Sequence, residues 1–227
     1  MKNKLLLLPT LFAVATTVIT GCASTRNQPA AEWDGLVLRP NTRLNAVWVR
    51  PNIELVAYRS VMIDPVSVSF ASNWDPNSGQ RSPSRRLDAS DVAAIQTSLG
   101  EMVREGFRAE LERGGYQIVD QPGDETLRIT AAIVNLDVTA PDTMSAGRSR
   151  TYTANSGSMT LVLELRDSVS GELLARAADR QSGRNTGMMT ITNRVTNTGD
   201  ARRAIGVWAT ALRRGLDEFY GKATAAS

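Results

Sequence analysis

The chain has 227 residues, of which 42% are hydrophobic and 22% charged, and a formal net charge of +3. Two of its 26 basic residues, Lys2 and Lys4, lie within the first 21 residues, which leaves 24 basic against 23 acidic residues in the rest. This balance argues against a nucleic-acid-binding protein, because such proteins carry a clear excess of positive charge.

The residue types that are missing narrow the chemistry further. The chain has no histidine, and Cys22 is its single cysteine. A Ser-His-Asp triad, a Cys-His pair and any histidine-containing zinc or haem site are therefore excluded. The sequence predicts neither a cofactor nor a metal ion.

The first 21 residues predict a signal peptide. Lys2 and Lys4 precede an apolar run from Leu5 to Ile19, which is shorter than the roughly 20 apolar residues of a membrane-spanning helix. The run ends in Ile19-Thr20-Gly21-Cys22, which resembles a bacterial lipobox. That resemblance implies cleavage between Gly21 and Cys22 and attachment of lipid to the Cys22 thiol. The alternative is an ordinary secretory signal with a cysteine there by chance.

Cys22 thus predicts a membrane partner, held through an N-terminal lipid anchor. Ala23 follows it, whereas lipoproteins kept at the inner membrane of diderm bacteria often have Asp at that place. The resemblance therefore implies an outer-membrane lipoprotein facing the periplasm. Residues 22–31 are expected to form a short polar tether that keeps the domain close to the membrane.

The following segment begins the folded domain. Residues 32–57 contain Pro40 and Pro51 and predict an irregular or edge-strand lead that packs its Trp residues and Leu36 on the domain. Residues 58–70 predict a strand with Met62, Val66, Val68 and Phe70 on one face, interrupted at Pro65. Residues 71–87 predict a polar loop.

A first helix is predicted from Asp88, because Asp91 stands at the spacing of a capping box. Gly114-Gly115 is expected to end it. Apolar residues recur every three or four positions and predict one buried face, made of Val92, Ile95, Leu99, Met102, Val103, Phe107 and Leu111.

Strands dominate the middle of the chain. We expect strands at 116–120 and 126–139, the second with a bulge because its apolar residues change parity. Residues 158–166 and 173–180 predict a hairpin with one solvated face, joined by the turn 167–172. The segments 140–157 and 181–199 predict loops, the latter with a possible weak strand.

A second amphipathic helix is predicted for residues 200–220, and residues 222–227 are expected to form a flexible tail. The fold class expected is α+β: a two-layer single domain over residues 32–221, with a mostly antiparallel sheet and two amphipathic helices on one face.

Several of these features resemble a family of uncharacterised bacterial lipoproteins, domain of unknown function 3313. They are the lipobox cysteine, Trp33-Asp34-Gly35-Leu36, the segment from Tyr58 to Val66 that ends near Trp74, the Tyr116 strand, and the turn from Asp167 to Glu172. The resemblance implies an envelope location and an α+β fold, and it implies no activity.

Carboxylate chemistry is the catalytic alternative that the composition leaves open. Asp64 and Asp137 lie within apolar strands, where burial would raise the pKa of an acid catalyst. Glu101 and Glu105 stand one helical turn apart but on a charged helix face. A carboxylate-dependent hydrolase of cell-wall or polysaccharide material would need two such acids in one cleft.

The favoured hypothesis is a non-enzymatic lipoprotein that binds an envelope protein or cell-wall component, or assists an assembly or transport system. Arg81, Arg85 and Arg86 form the densest basic cluster after the signal and are candidate contacts for anionic groups. The Thr/Asn/Gly-rich segment 183–199 is a candidate partner-binding loop.

Overall fold

Alternating strands and two amphipathic helices build the domain, for which we use a computed structural model. It describes residues 29–53, 55–78, 86–138, 151–153, 157–182, 190–192 and 194–221. Cys22, Arg81, Arg85 and the segment 183–189 lie outside the described residues.

The described residues contain eleven strands and two α-helices. The strands are β1 (Glu32–Trp33), β2 (Leu36–Leu38), β3 (Ala46–Val49), β4 (Ser60–Ile63), β5 (Ser67–Phe70), β6 (Gln117–Val119), β7 (Thr126–Asp137), β8 (Thr151–Thr153), β9 (Ser158–Asp167), β10 (Leu173–Ser182) and β11 (Thr190–Thr192). The helices are α1 (Ala89–Arg113) and α2 (Arg194–Phe219).

Nine of the strands form one mixed sheet in the order β1-β2-β3-β10-β9-β7-β4-β6, with β5 also paired to β7. The pairs from β1 to β7 along this order are antiparallel, whereas β4–β6, β4–β7 and β5–β7 are parallel. β8 and β11 form a separate two-stranded sheet. The predicted two-layer α+β class is confirmed, since both helices pack into the same core as the sheet.

The hairpin β9–β10 is the central feature of the sheet and matches the sequence prediction. Leu161, Leu163 and Leu165 point into the core, while Glu164 and Arg166 lie on the opposite face. The turn is stabilised by Asp167, whose carboxylate accepts hydrogen bonds from the Ser170 and Val169 amides at 2.6 and 3.0 Å. The alternation of the sequence thus decides which sheet face receives the helices.

Pro65 separates β4 from β5, as the sequence predicts, and it also changes which residues face the core. Val61 and Ile63 are buried before the interruption, and Val66 and Val68 pack against the same core after it. The expectation that Met62 shares their face is therefore wrong. Two alternating runs separated by an irregular step need not keep the same parity.

A capping box begins α1, as predicted. The Asp88 carboxylate accepts from the amides of Ser90 and Asp91 at 2.8 and 3.0 Å, and the Asp91 carboxylate accepts from the Asp88 amide.

Gly106 of α1 allows the two helices to pack closely. A Cβ at Gly106 would lie 2.5 Å from Cγ2 of Ile205, so any larger residue would push the helices apart.

The second helix begins earlier than the sequence indicates. We expect it from Asp200, but α2 begins at Arg194, directly after β11. Residues 194–199 contain Val, Thr, Asn and Gly, which are weak helix formers, so propensity alone gives no signal there. Part of the segment proposed as a binding loop is therefore helical.

The predicted bulge in β7 is confirmed by a register shift between Val134 and Asp137 against β9, where Asn135 has a φ of 53°. The lead is more regular than expected, because β3 is an interior strand between β2 and β10. Leu36 and Trp48 are buried on the helix-free face, as predicted for the lead. Neither described helix has an apolar stretch of the kind that a transmembrane segment requires.

Candidate functional site

A cavity of about 280 Å³ lies between α2 and the β3-β10-β9 part of the sheet. We call it the α2 recess. Its volume is close to the lower end of the roughly 300–1,000 Å³ range of small-molecule pockets. The walls are apolar and include Val47, Val49, Leu161, Leu163, Leu165, Trp208, Leu212, Leu216 and Phe219.

Small side chains on β10 and on the facing side of α2 explain why the recess exists. Ala175 and Ala177 of β10 face the core between the leucines of β9 and the valines of β3. Opposite them, α2 presents Ala211 and Gly215 among its larger residues. A Cβ placed at Gly215 would meet no atom within 4 Å. Protein interiors are normally close-packed. Here the small side chains of β10 and α2 do not fill the space between the two elements, and the recess results.

The loop between β2 and β3, residues 39–44, forms one side of the mouth. Its ends are held by the sheet: the Arg39 amide donates to the Val47 carbonyl at 2.8 Å, and the Asn45 amide donates to the Asp179 carboxylate at 2.9 Å. Asn41 adopts a φ of 57°, a conformation that Asn tolerates better than most residues. Hydrogen bonds to the sheet thus hold both ends of the loop that forms the mouth.

Charged side chains at the mouth are mostly positive. Arg39, Arg43 and Arg214 line it, and Glu218 is the one carboxylate among the lining residues. Arg39 pairs with Glu218 at 3.2 Å and lies 5.1 Å from the centre of the Phe219 ring. Arg43 and Arg214 make no ion pair within the described part of the chain. The mouth therefore favours an anionic group beside an apolar interior.

Buried polar contacts fix α2 over the recess. The Trp208 indole donates to the Asp179 carboxylate at 2.8 Å, and the Tyr116 hydroxyl donates to Asp217 at 2.8 Å. Burial, together with the hydrogen bond to Asp217, raises the pKa of Tyr116 well above its usual range, so its hydroxyl stays protonated. These contacts join residues that are far apart in sequence.

A second group of charged residues lies on the helix-free face of the sheet, and we call it the sheet-face ion pairs. Glu164 of β9 accepts hydrogen bonds from Arg166 and from Arg176, each at 2.7 Å in its shorter contact. Arg176 also donates to Asp34 at 2.8 Å and lies 4.1 Å from the centre of the Trp33 ring. Its guanidinium therefore holds the β1–β2 lead against the sheet.

Glu164 is the centre of this network, and its charge depends on its partners. Burial on its own would raise the pKa of Glu164, but the hydrogen bonds from Arg176 and Arg166 outweigh it and hold the pKa below its ordinary value near 4.5. Glu164 consequently contributes stability at pH values above its unfolded-state pKa. That contribution is lost as the pH falls through the lower pKa of the folded state.

We therefore expect Glu164→Gln to lower the free energy of unfolding at pH 7 by about 1–3 kcal/mol, because Arg176 and Arg166 lose a half-buried charged acceptor. The difference from the wild type should shrink as the pH falls through the lowered pKa of Glu164 in the folded state. Urea unfolding across this pH range measures it. Glu172→Gln is the matched control, since Glu172 forms an exposed pair with Arg50 and should cost less than about 1 kcal/mol. If the difference in unfolding free energy between Glu164→Gln and the wild type stays constant with pH, the proposed role of the Glu164 charge is wrong.

The structure places few of the sequence-predicted binding residues. Arg86 is exposed and stands two residues before the Asp88 N-cap. Arg81, Arg85, Cys22 and Gly21 fall outside the described residues, so the proposed basic cluster and the lipid-attachment site stay predictions.

The candidate carboxylates do not form a catalytic pair. Asp64 accepts from the Arg128 guanidinium at 2.8 Å and from the Thr130 hydroxyl at 2.9 Å. Asp137 is exposed at the far end of β7, roughly 25 Å along the strand from the Asp64 contact. Glu101 and Glu105 are exposed. In the described ranges no three acidic or cysteine side chains come close enough to hold a metal ion.

The sequence prediction missed the α2 recess and its arginines. One signal was available: β10 has Ala175 and Ala177 at core-facing positions where β9 has leucines. In α2, Ala211 and Gly215 stand beside the predicted apolar stripe. Small residues on a buried face can indicate either close packing or a gap, and only the pairing of the two elements distinguishes them.

Comparison with known proteins identifies the family. The sequence profile described as protein of unknown function (DUF3313) matches residues 34–212. The chain belongs to the DUF3313 family. The match covers the whole sheet from β2 to β10 and α2 as far as Leu212, so it includes most of the recess. No curated protein is similar enough in sequence to count as a relative.

Solved structures are similar to this DUF3313 protein at low identity. A Xanthomonas campestris protein of the DUF330 family has 12% identity and a TM-score of 0.42, with 77% of this chain and 91% of that chain covered. A PelC dodecamer from Paraburkholderia phytofirmans has 12% identity, a TM-score of 0.35 and coverage of 71% and 94%. A minor lipoprotein from Acinetobacter baumannii has 10% identity, a TM-score of 0.31 and coverage of 71% and 94%.

Proposed function

We propose that this DUF3313 protein is a membrane-anchored envelope lipoprotein whose domain binds another envelope component and catalyses no reaction. The anchor is Cys22, which follows the lipobox-like Ile19-Thr20-Gly21. With Ala23 next to it, the location proposed is the outer membrane, with the domain facing the periplasm. The short tether keeps the domain within reach of the membrane surface.

The α2 recess is the observation that carries the binding role. Its interior consists of aliphatic and aromatic side chains, and its mouth has three arginines against one carboxylate. That carboxylate, Glu218, is already paired with Arg39. The recess therefore offers apolar surface and positive charge, which suit binding, and it lacks the two facing acids that general acid–base hydrolysis needs.

Photo-crosslinking in the native envelope tests this proposal. A photoreactive residue at Pro40, an exposed lining residue of the mouth, should yield a reproducible, light-dependent product when the full-length lipoprotein is purified. The matched control is the same residue at Val169, which is 63% exposed in the β9–β10 turn and does not line the recess. No product at Pro40, or equal products at both positions, would overturn the proposal.

A further inference from the structure

The shape and chemistry of the α2 recess restrict what it can hold. Its deep walls come from the buried leucines of β9, the two alanines of β10 and the apolar stripe of α2. Arg176 also lines the recess, but its guanidinium lies on the opposite face of the sheet, bonded to Glu164 and Asp34. The other polar lining residues belong to the mouth, namely the loop 39–44 and the outer positions Arg214 and Glu218. A sugar or nucleotide would bury hydroxyl groups without hydrogen-bond partners in such an interior, which costs binding free energy. A hydrocarbon chain has no polar groups to leave unpaired.

The volume favours one chain over two. At about 280 Å³ the recess is smaller than most drug-sized pockets, so it has no room for the paired tails of a phospholipid. A single chain can enter from the mouth and lie along the groove between β10 and α2. Gly215 and Ala211 leave space on the helix side, where a larger residue would close the groove.

The mouth is suited to a negatively charged head group. Arg43 is exposed and Arg214 is half-buried, and both lie beside the opening without an ion-pair partner in the described part of the chain. The Arg39–Glu218 pair spans the loop and the helix with side chains 43% and 55% exposed, so it is a weak contact.

From these observations we propose that the α2 recess binds a single-chain fatty acid, with its hydrocarbon tail in the groove and its carboxylate at Arg43 and Arg214. This inference rests on the proposed binding function and names the ligand class of the same site. Guanidinium groups match a carboxylate in geometry and charge, and the apolar walls gain from removing the tail from water.

Photolabelling of the full-length lipoprotein in phospholipid nanodiscs tests the proposal. The probe is dodecanoate carrying a diazirine in its tail, and mass spectrometry locates the labelled residues. We expect labels on β9, β10 and α2, and we expect unlabelled dodecanoate to compete at least about tenfold better than dodecanol, which has no charged head.

Three variants separate the contributions of charge and volume. The double variant Arg43→Glu and Arg214→Glu should reduce labelling about tenfold. Neither side chain belongs to the buried core, so we expect the variant to fold, and circular dichroism checks this. Ala177→Phe fills the groove and should reduce labelling to a similar extent. Arg202→Glu is the matched control, because Arg202 is exposed on the opposite side of α2 and should label like the wild type.

Three results would overturn the proposal. One is labelling that is unchanged in the Arg43→Glu, Arg214→Glu variant, and another is labelling spread evenly over the surface. The third is a recess labelled only by a diazirine phospholipid, which would assign the site to the bilayer lipid. If dodecanoate fails while a crosslinker at Pro40 still captures a component, the ligand assignment falls and the binding function stands.

Discussion

Replacing Trp208 by Ala is expected to lower the free energy of unfolding by about 3–5 kcal/mol, the range for deletion of a large buried aromatic side chain. Trp208 is 1% exposed and stands where α2 meets the core. Its indole nitrogen donates to Asp179, which is itself buried and also accepts from the Asn45 amide and the Gln181 amide group. The variant therefore loses volume and leaves part of a buried carboxylate unsatisfied.

Two further variants separate these contributions to stability. Trp208→Phe keeps most of the volume and removes the donor to Asp179, so it should cost about 1–2 kcal/mol. Val207→Ala changes the exposed neighbouring residue and should stay within about 0.5 kcal/mol of the wild type. Urea unfolding followed by circular dichroism measures all three. Equal losses for Trp208→Phe and Trp208→Ala would show that the hydrogen bond, and not the packing, dominates at this position.

Changing Cys22 to Ser is expected to abolish lipid attachment, because a hydroxyl is a far weaker nucleophile than a thiol. Incorporation of labelled palmitate into the protein should fall to background. Each buried methylene contributes about 0.8 kcal/mol to membrane binding, so losing all acyl chains removes the basis of stable anchoring. Ser24→Ala, two residues further on, is the matched control and should keep the label.

The membrane fraction needs a separate measurement in this variant. An unprocessed signal segment would keep its apolar run and could hold the protein at the membrane without any lipid. A second form, in which Cys22→Ser follows a secretory signal with a small-x-small cleavage site, removes that segment. We expect this form in the soluble periplasmic fraction. Palmitate label that persists in Cys22→Ser would contradict the assignment of the anchor.

Local patterns were sufficient for much of the fold. The alternation in 158–166, the turn at 167–172 and the capping box at Asp88 all match β9, its turn and the start of α1. These features depend on side chains within a few residues of one another, so the sequence displays them directly. The start of α2 was missed because residues 194–199 are mostly weak helix formers, so their propensity did not indicate a helix.

The sequence by itself was enough to place most of the main helices and strands, whereas the lipid anchor at Cys22 that it indicates stays a prediction. The tertiary structure alone decided where the recess and the sheet-face ion pairs lie. Ala177 faces the helix that carries Ala211, Arg43 shares a mouth with Arg214, and Glu164 meets Asp34 only through Arg176. The reason is that such sites depend on strand register and on helix placement, which bring together positions far apart in the chain that no local pattern relates.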